Sequence, residues 1–178
     1  MFNLFDNKLN KCTFTQKESE MSLYQIHVKQ NLPISLQEAW DFFSDPMNLN
    51  KITPENMGFV TLSGADRKMY PGQIIQYEVT PLLGIKMNWV TEITHVVQNE
   101  YFVDEQRFGP YALWHHKHFL REIPGGVEME DIVDYKLPMG ILGQVFHPIL
   151  VKRRLDEIFA YRYQKLIQLF GPFNPHYT

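Results

Sequence analysis

Three histidines crowd one strand-like run, Trp114-His115-His116-Lys117-His118. Past the Pro124-Gly125-Gly126 turn a second run carries Glu128, Glu130, Asp131, Asp134 and Tyr135. Imidazoles beside carboxylates can move protons, hold a metal ion or orient a polar ligand. Alternate side chains of a strand share a face. Trp114, His116, His118 and Leu120 therefore point one way, and on the return run Met129, Asp131, Val133 and Tyr135 oppose Glu128, Glu130 and Asp134. The less charged face must meet the core, so two imidazoles, a carboxylate and a phenol are expected inside. Buried polar groups are costly without partners. Such an interior is either a hydrogen-bonded network or the floor of a ligand cavity.

The inward set extends to neighbouring segments. In a strand over 101–108, Phe102, Asp104, Gln106 and Phe108 share a face. Near the C-terminus, a helical wheel at ~100° per residue puts Val151, Leu155, Ile158, Phe159, Leu166 and Leu169 on one stripe, with Arg162 near its middle. An arginine there must find an anion, reach the rim or face a wet cavity, and it is expected to point toward Asp104 or Asp131.

Three interpretations of the cluster stay open. It orients a ligand's carbonyl, hydroxyl or carboxylate; it is a satisfied network pinning the helix to the sheet; or His116-x-His118 with Asp131 or Asp104 forms a two-histidine, one-carboxylate metal site. Were the protein an enzyme, His116 would act as base beside Asp131. The chain has no Gly-x-Ser-x-Gly elbow, phosphate-binding glycine loop or Cys-x-x-Cys pair, so no nucleophile with a recognisable setting supports catalysis. No metal and no cofactor is assigned. The ligand-contact set is Tyr77, Trp89, Asp104, Gln106, Trp114, His116, His118, Asp131, Tyr135, Phe159 and Arg162. Further wall candidates are Trp40, Phe43, Ile75, Phe102, Met129 and Leu166.

The elements that must position these groups follow from periodicity and punctuation. Ser22 to Asn31 alternates as a strand. Ser35-Leu36-Gln37-Glu38 is a capping box opening a helix through Phe43, and Asp45-Pro46 starts a second short helix ending before Thr53-Pro54. Strands are predicted at 57–63, 72–80, 85–98, 101–108, 112–123 and 127–136, with short Gly, Pro and Asn links that favour an antiparallel meander. Residues 139–170 have helical spacing, with Pro148 dividing them and Gly171-Pro172 closing them. The apolar stretch before Pro148 is either a buried helix start or a mobile gate. The pattern predicts one α+β domain: a seven-stranded antiparallel sheet wrapped around a long C-terminal helix, a helix-grip, with an internal pocket as its geometric consequence.

Composition narrows the partners. The chain of 178 residues suits one domain, and 14% aromatic content can line a pocket. A formal net charge of −3 argues against nucleic acid, and Lys152-Arg153-Arg154 is expected on a solvated helix face. The lone Cys12 excludes an internal disulfide framework and suits a reducing, cytoplasmic location. No apolar run reaches the ~18 residues that span a membrane. Residues 1–20 are expected to be a weakly ordered extension, with Met21 a candidate initiator; 21–172 the domain; 173–178 a tail.

Particular residues carry a family resemblance. They are Ala39-Trp40-Asp41-Phe42-Phe43-Ser44-Asp45-Pro46, Asn50-Lys51-Ile52-Thr53-Pro54, Asn88-Trp89-Val90-Thr91-Glu92-Ile93, Phe102 to Tyr111, Trp114 to Phe119 and Asp131 to Tyr135. Over residues 22–170 the chain resembles the START/Bet v 1-like (SRPBCC) superfamily, in its polyketide-cyclase/dehydrase-like bacterial branch. That resemblance implies a hydrophobic cavity for lipids, polyketides, hormones or other apolar molecules. The superfamily also holds enzymes, so fold alone does not settle function; no catalytic motif is carried over. The leading expectation is non-catalytic binding of a small, largely apolar molecule. The alternatives are a cyclase- or hydratase-like enzyme and a partner-binding module with a filled interior. A cavity below ~300 Å³ would favour the filled interior.

Overall fold

A computed structural model describes residues 23–80, 84–138 and 150–174. The expectations for residues 1–20, Met21, the 139–148 gate, Pro148 and the tail beyond 174 lie outside the described residues. The chain runs β1 (Tyr24–Leu32), α1 (Leu36–Phe43), two 3-10 turns (Pro46–Ile52 and Glu55–Met57), then β2 (Val60–Ser63), β3 (Gln73–Val79), β4 (Met87–Val97), β5 (Tyr101–Phe108), β6 (Leu113–Ile123) and β7 (Gly126–Lys136). It ends in α2 (Lys152–Phe170). The strands form one antiparallel sheet in the order β1-β7-β6-β5-β4-β3-β2. This is the expected α+β helix-grip. Among the described residues no helix is long and apolar enough to cross a membrane.

Local chemistry explains each boundary that matters for the site. Ser35 and Glu38 form the reciprocal capping box that starts α1. Asp45 accepts the Met47 amide at 2.9 Å ahead of Pro46, and the element it opens is 3-10 rather than α-helical. β2 starts at Val60 rather than 57 because Glu55–Met57 form an unanticipated 3-10 turn, closed by left-handed Gly58. Ile123 pairs with Gly126, so the β6–β7 turn is only Pro124 and Gly125, with Gly125 at φ 80° where a type II turn needs a positive φ. That tight turn fixes the register and sets His118 opposite Asp131.

Three buried clusters fill the interior. Tyr24, Trp114, Val133, Leu155 and Phe159 pack at one end. Leu32, Trp40, Phe102, Met129 and Leu166 pack under α1. Ile75, Tyr77, Val79 and Ile93 form the third along β3 and β4. The stripe holds at Val151, just ahead of α2, and at Leu155, Phe159 and Leu166, but Leu169 is 43% exposed, the neighbouring Phe170 making the contact with Phe42.

Candidate functional site

A cavity of about 150 Å³ lies where the three clusters meet, between the inner face of the sheet and α2. Phe43, Tyr77, Trp89, Phe102, Trp114 and Phe159 supply apolar wall, as expected. Trp40, Ile75, Met129 and Leu166 are core residues away from it. Trp89 and Trp114 meet edge to face with centroids 5.3 Å apart, and Tyr111 closes against both at 5.7 and 4.8 Å. Aromatic groups in these geometries make a rigid wall.

The strand phase places the polar cluster on this wall. His116 is buried, Asp131 is fully buried, and the side chain of His118 is 12% exposed. Their geometry is a cage. His118 lies between two carboxylates, with Nε2 2.8 Å from Asp104 Oδ2 and Nδ1 2.8 Å from Asp131 Oδ1. His116 lies beside it with centroids 3.7 Å apart, Nε2 3.2 Å from the same Asp131 oxygen and Nδ1 3.6 Å from Asp104. Arg162 donates from Nη1 to Asp131 Oδ2 at 3.2 Å and lies 5.2 Å over the Phe159 ring. The arginine thus finds one of its two expected anions.

Burial and pairing set opposite charge preferences on the two rings. Burial lowers the His116 pKa, and the neighbouring His118 charge lowers it further, against partial compensation from Asp131 and Asp104. Burial alone would lower His118 too, but hydrogen bonds to Asp104 and Asp131 outweigh it and raise the value. Burial works to raise Asp131, yet hydrogen bonds from both imidazoles hold it well below the usual carboxylate range. Asp104 is lowered despite burial, through the His118 hydrogen bond and the charges of His116, His118 and Arg162. These shifts favour placing a proton on His118 rather than on His116, with both carboxylates ionised beside the guanidinium. Burial also raises the Tyr77 phenol on the cavity wall, with the Asp104 charge adding to it.

Two expected contacts fall elsewhere. Gln106 serves the 109–112 loop: its Nε2 donates to the Tyr111 carbonyl at 2.7 Å and its Oε1 accepts the Tyr111 amide at 3.2 Å. It does not line the cavity, and Phe108 is 65% exposed. Gln106 still pairs with Thr91; the register shift follows it, with Arg107 as the extra residue before Phe108 pairs with Val90, and it re-aims Phe108. Tyr135 is buried but packs on Tyr24 and Tyr111 rather than lining the cavity. Asp131 sits behind the two rings, supporting them from beneath.

Other lining residues carried weaker sequence signals. Arg154, expected on a solvated face, turns toward the cavity and donates to Asn56 Oδ1 at 3.1 Å. Asn48, Thr53 and Thr91 add polar lining. Tyr111 sits in the Gly109-Pro110-Tyr111 segment, whose turn chemistry was legible though its inward ring was not.

No protein-family model and no curated protein matches the chain. Solved structures do match it. Protein CV1439 from Chromobacterium violaceum is 17% identical, with a TM-score of 0.63 over 83% of this chain and 98% of that one. Major latex-like protein 151 from Panax ginseng is 11% identical, with a TM-score of 0.62 over 85% and 99%. Ara h 8.0201 is 13% identical, with a TM-score of 0.56 over 82% and 99%. At these identities the likeness establishes architecture alone: the chain shares the Bet v 1-like helix-grip fold of these structures.

Proposed function

We propose that this protein binds a small, largely apolar molecule in the cavity between sheet and α2, in the cytoplasm, without chemical transformation of it. The observation that carries this is Arg162. It lines the cavity, and its buried Nε has no hydrogen-bond partner among the described residues. A buried donor left unmade costs about 1–3 kcal/mol, which an acceptor oxygen on a bound molecule would recover once the guanidinium turns its covered Nε toward it. Trp89, Trp114, Tyr77 and Phe159 supply burial, while His116, His118 and Asp104 set polarity at one end. Asp131 acts through the two rings. No step is assigned to His116, because both nitrogens of each imidazole face carboxylates rather than an open approach.

The volume sizes the ligand. A void of about 150 Å³ holds roughly one benzene-sized ring. Among lipid-, polyketide- and aromatic-like molecules, this favours a single oxygenated ring. At about 150 Å³ the void falls below the ~300 Å³ mark, which by itself favours the second reading, a packed interior in a protein-interaction module; the unmade Arg162 donor is what weighs the other way.

Titration with phenol, benzoate and indole separates the two. Trp89 and Trp114 fluorescence should change saturably, and Ile158→Trp, which fills the void from α2, should abolish the change while the melting temperature holds. Native mass spectrometry of protein from its own source should show a co-purifying mass. No saturable change with any probe, together with no bound mass, favours the packed interior.

A further inference from the structure

The geometry points to a divalent transition-metal site on the cavity floor, with His116 Nδ1, His118 Nε2 and an Asp104 carboxylate oxygen as its ligands. The donors come from adjacent strands, where Asp104 pairs with His116 and Phe102 with His118. One ligand atom from each residue lies within 4.8 Å of the others. Asp104 Oδ2 is 2.8 Å from His118 Nε2 and 3.6 Å from His116 Nδ1. Ligands at ~2.0–2.1 Å around a tetrahedral ion lie about 3.3 Å apart, between those two separations.

The far side of the rings distinguishes this arrangement from an ordinary ion pair. His116 Nε2 and His118 Nδ1 both meet one oxygen, Asp131 Oδ1, at 3.2 and 2.8 Å. A carboxylate only accepts, so each ring directs an N–H there, and a neutral imidazole then carries its lone pair on the opposite nitrogen. With both rings neutral, as metal ligation requires, their two lone pairs and the Asp104 carboxylate would face one point, the ion replacing the proton that His118 Nε2 shares with Asp104 at 2.8 Å. Metal-ligating histidines typically give their other N–H to a carboxylate or carbonyl. Asp131 does this for both rings at once and is itself held by Arg162.

Two histidines and one carboxylate leave coordination positions open. Asp104, His116 and His118 line the cavity and Asp131 does not, so those positions look into it. With a divalent ion bound and both rings neutral, ion and Arg162 together outweigh the two carboxylates by one positive charge. An anionic oxygen from the cavity would restore balance. The site stands whether or not an apolar molecule binds.

Untagged full-length protein, stripped with chelator, is titrated with Co²⁺ and Zn²⁺ alone. One ion per chain should bind in the micromolar range, with visible bands for Co²⁺. His118→Gln and Asp104→Asn should remove binding. Asp131→Asn should weaken it ~10–100-fold at the same stoichiometry. His115→Gln, on the opposite face, should leave it unchanged. Wild-type protein that takes up neither ion at micromolar concentration overturns the site. So does binding that survives His118→Gln or vanishes in His115→Gln. The wild-type titration decides even if a variant fails to fold.

Discussion

The two faces of the β5–β7 sheet hold the same chemistry one residue apart. On the outer face His115 meets Glu105 at 2.9 Å, His27 meets Glu130 at 2.5 Å, and Lys117 meets Asp134 at 2.7 Å. On the inner face His116 and His118 meet Asp104 and Asp131. The outer histidines His27 and His115 keep about a third of their side-chain surface in contact with solvent, at 35% and 33%, whereas Asp131 keeps none. The ion pairs are alike and their surroundings are not. Water screens the outer set, so even its shared carboxylates, Glu130 with His27 and Lys29 among them, gain little from each link, while on the inner face every charge needs a partner and the cluster behaves as one unit.

The largest effect should come from Asp131, which serves His116, His118 and Arg162 together. Asp131→Ala should cost about 3–5 kcal/mol by urea denaturation in chelating buffer, since it leaves uncompensated buried positive charge. A loss no larger than that of an outer-face carboxylate would erase the contrast between the faces. Next comes Arg162→Met, which removes one of three supports and should cost somewhat less, about 3 kcal/mol. Lys165→Met on the same helix is the control and should stay within about 0.5 kcal/mol. Equal melting temperatures for these two variants would mean that Arg162 contributes no buried pair.

How far the sequence reaches follows the same division. β7 alternates cleanly along its whole length, so the phase of Met129, Asp131, Val133 and Tyr135 was legible. Facing inward, however, does not mean reaching the cavity. Tyr135 pairs with the wall residue Trp114, but the Tyr111 and Trp114 rings pack against it and take the cavity surface themselves. Gln106 failed for a different reason: it keeps its phase opposite Thr91, but its amide is taken up by the Tyr111 backbone, a loop contact that strand alternation does not announce. Leu169 shared the right helical stripe, yet at that end of α2 Phe170 takes the contact with Phe42 and Leu169 stays exposed. The cavity volume was beyond reach, because it depends on how large rings from several strands and α2 settle against one another.

The smallest expected effect sharpens the outer side of the comparison. Asp134 accepts from Lys117 Nζ and Gln25 Nε2, each at 2.7 Å. Partial burial works to raise its carboxyl, but hydrogen bonds from Lys117 and Gln25, with the Lys117 and His115 charges, lower it below the ordinary value of 3.8. A carboxyl lowered by folding adds stability above its unfolded value and loses that addition as pH falls through the folded one. Asp134→Asn should therefore cost no more than about 1 kcal/mol at pH 7, in the range of partly exposed pairs. Asparagine cannot ionise, so its deficit against wild type should close as pH falls below 3.8 and through the lowered folded value. Urea denaturation at neutral and acid pH reads both. A deficit matching that of Asp131→Ala would mean the outer face is as dry as the inner one; a deficit that persists in acid would trace to lost packing rather than charge.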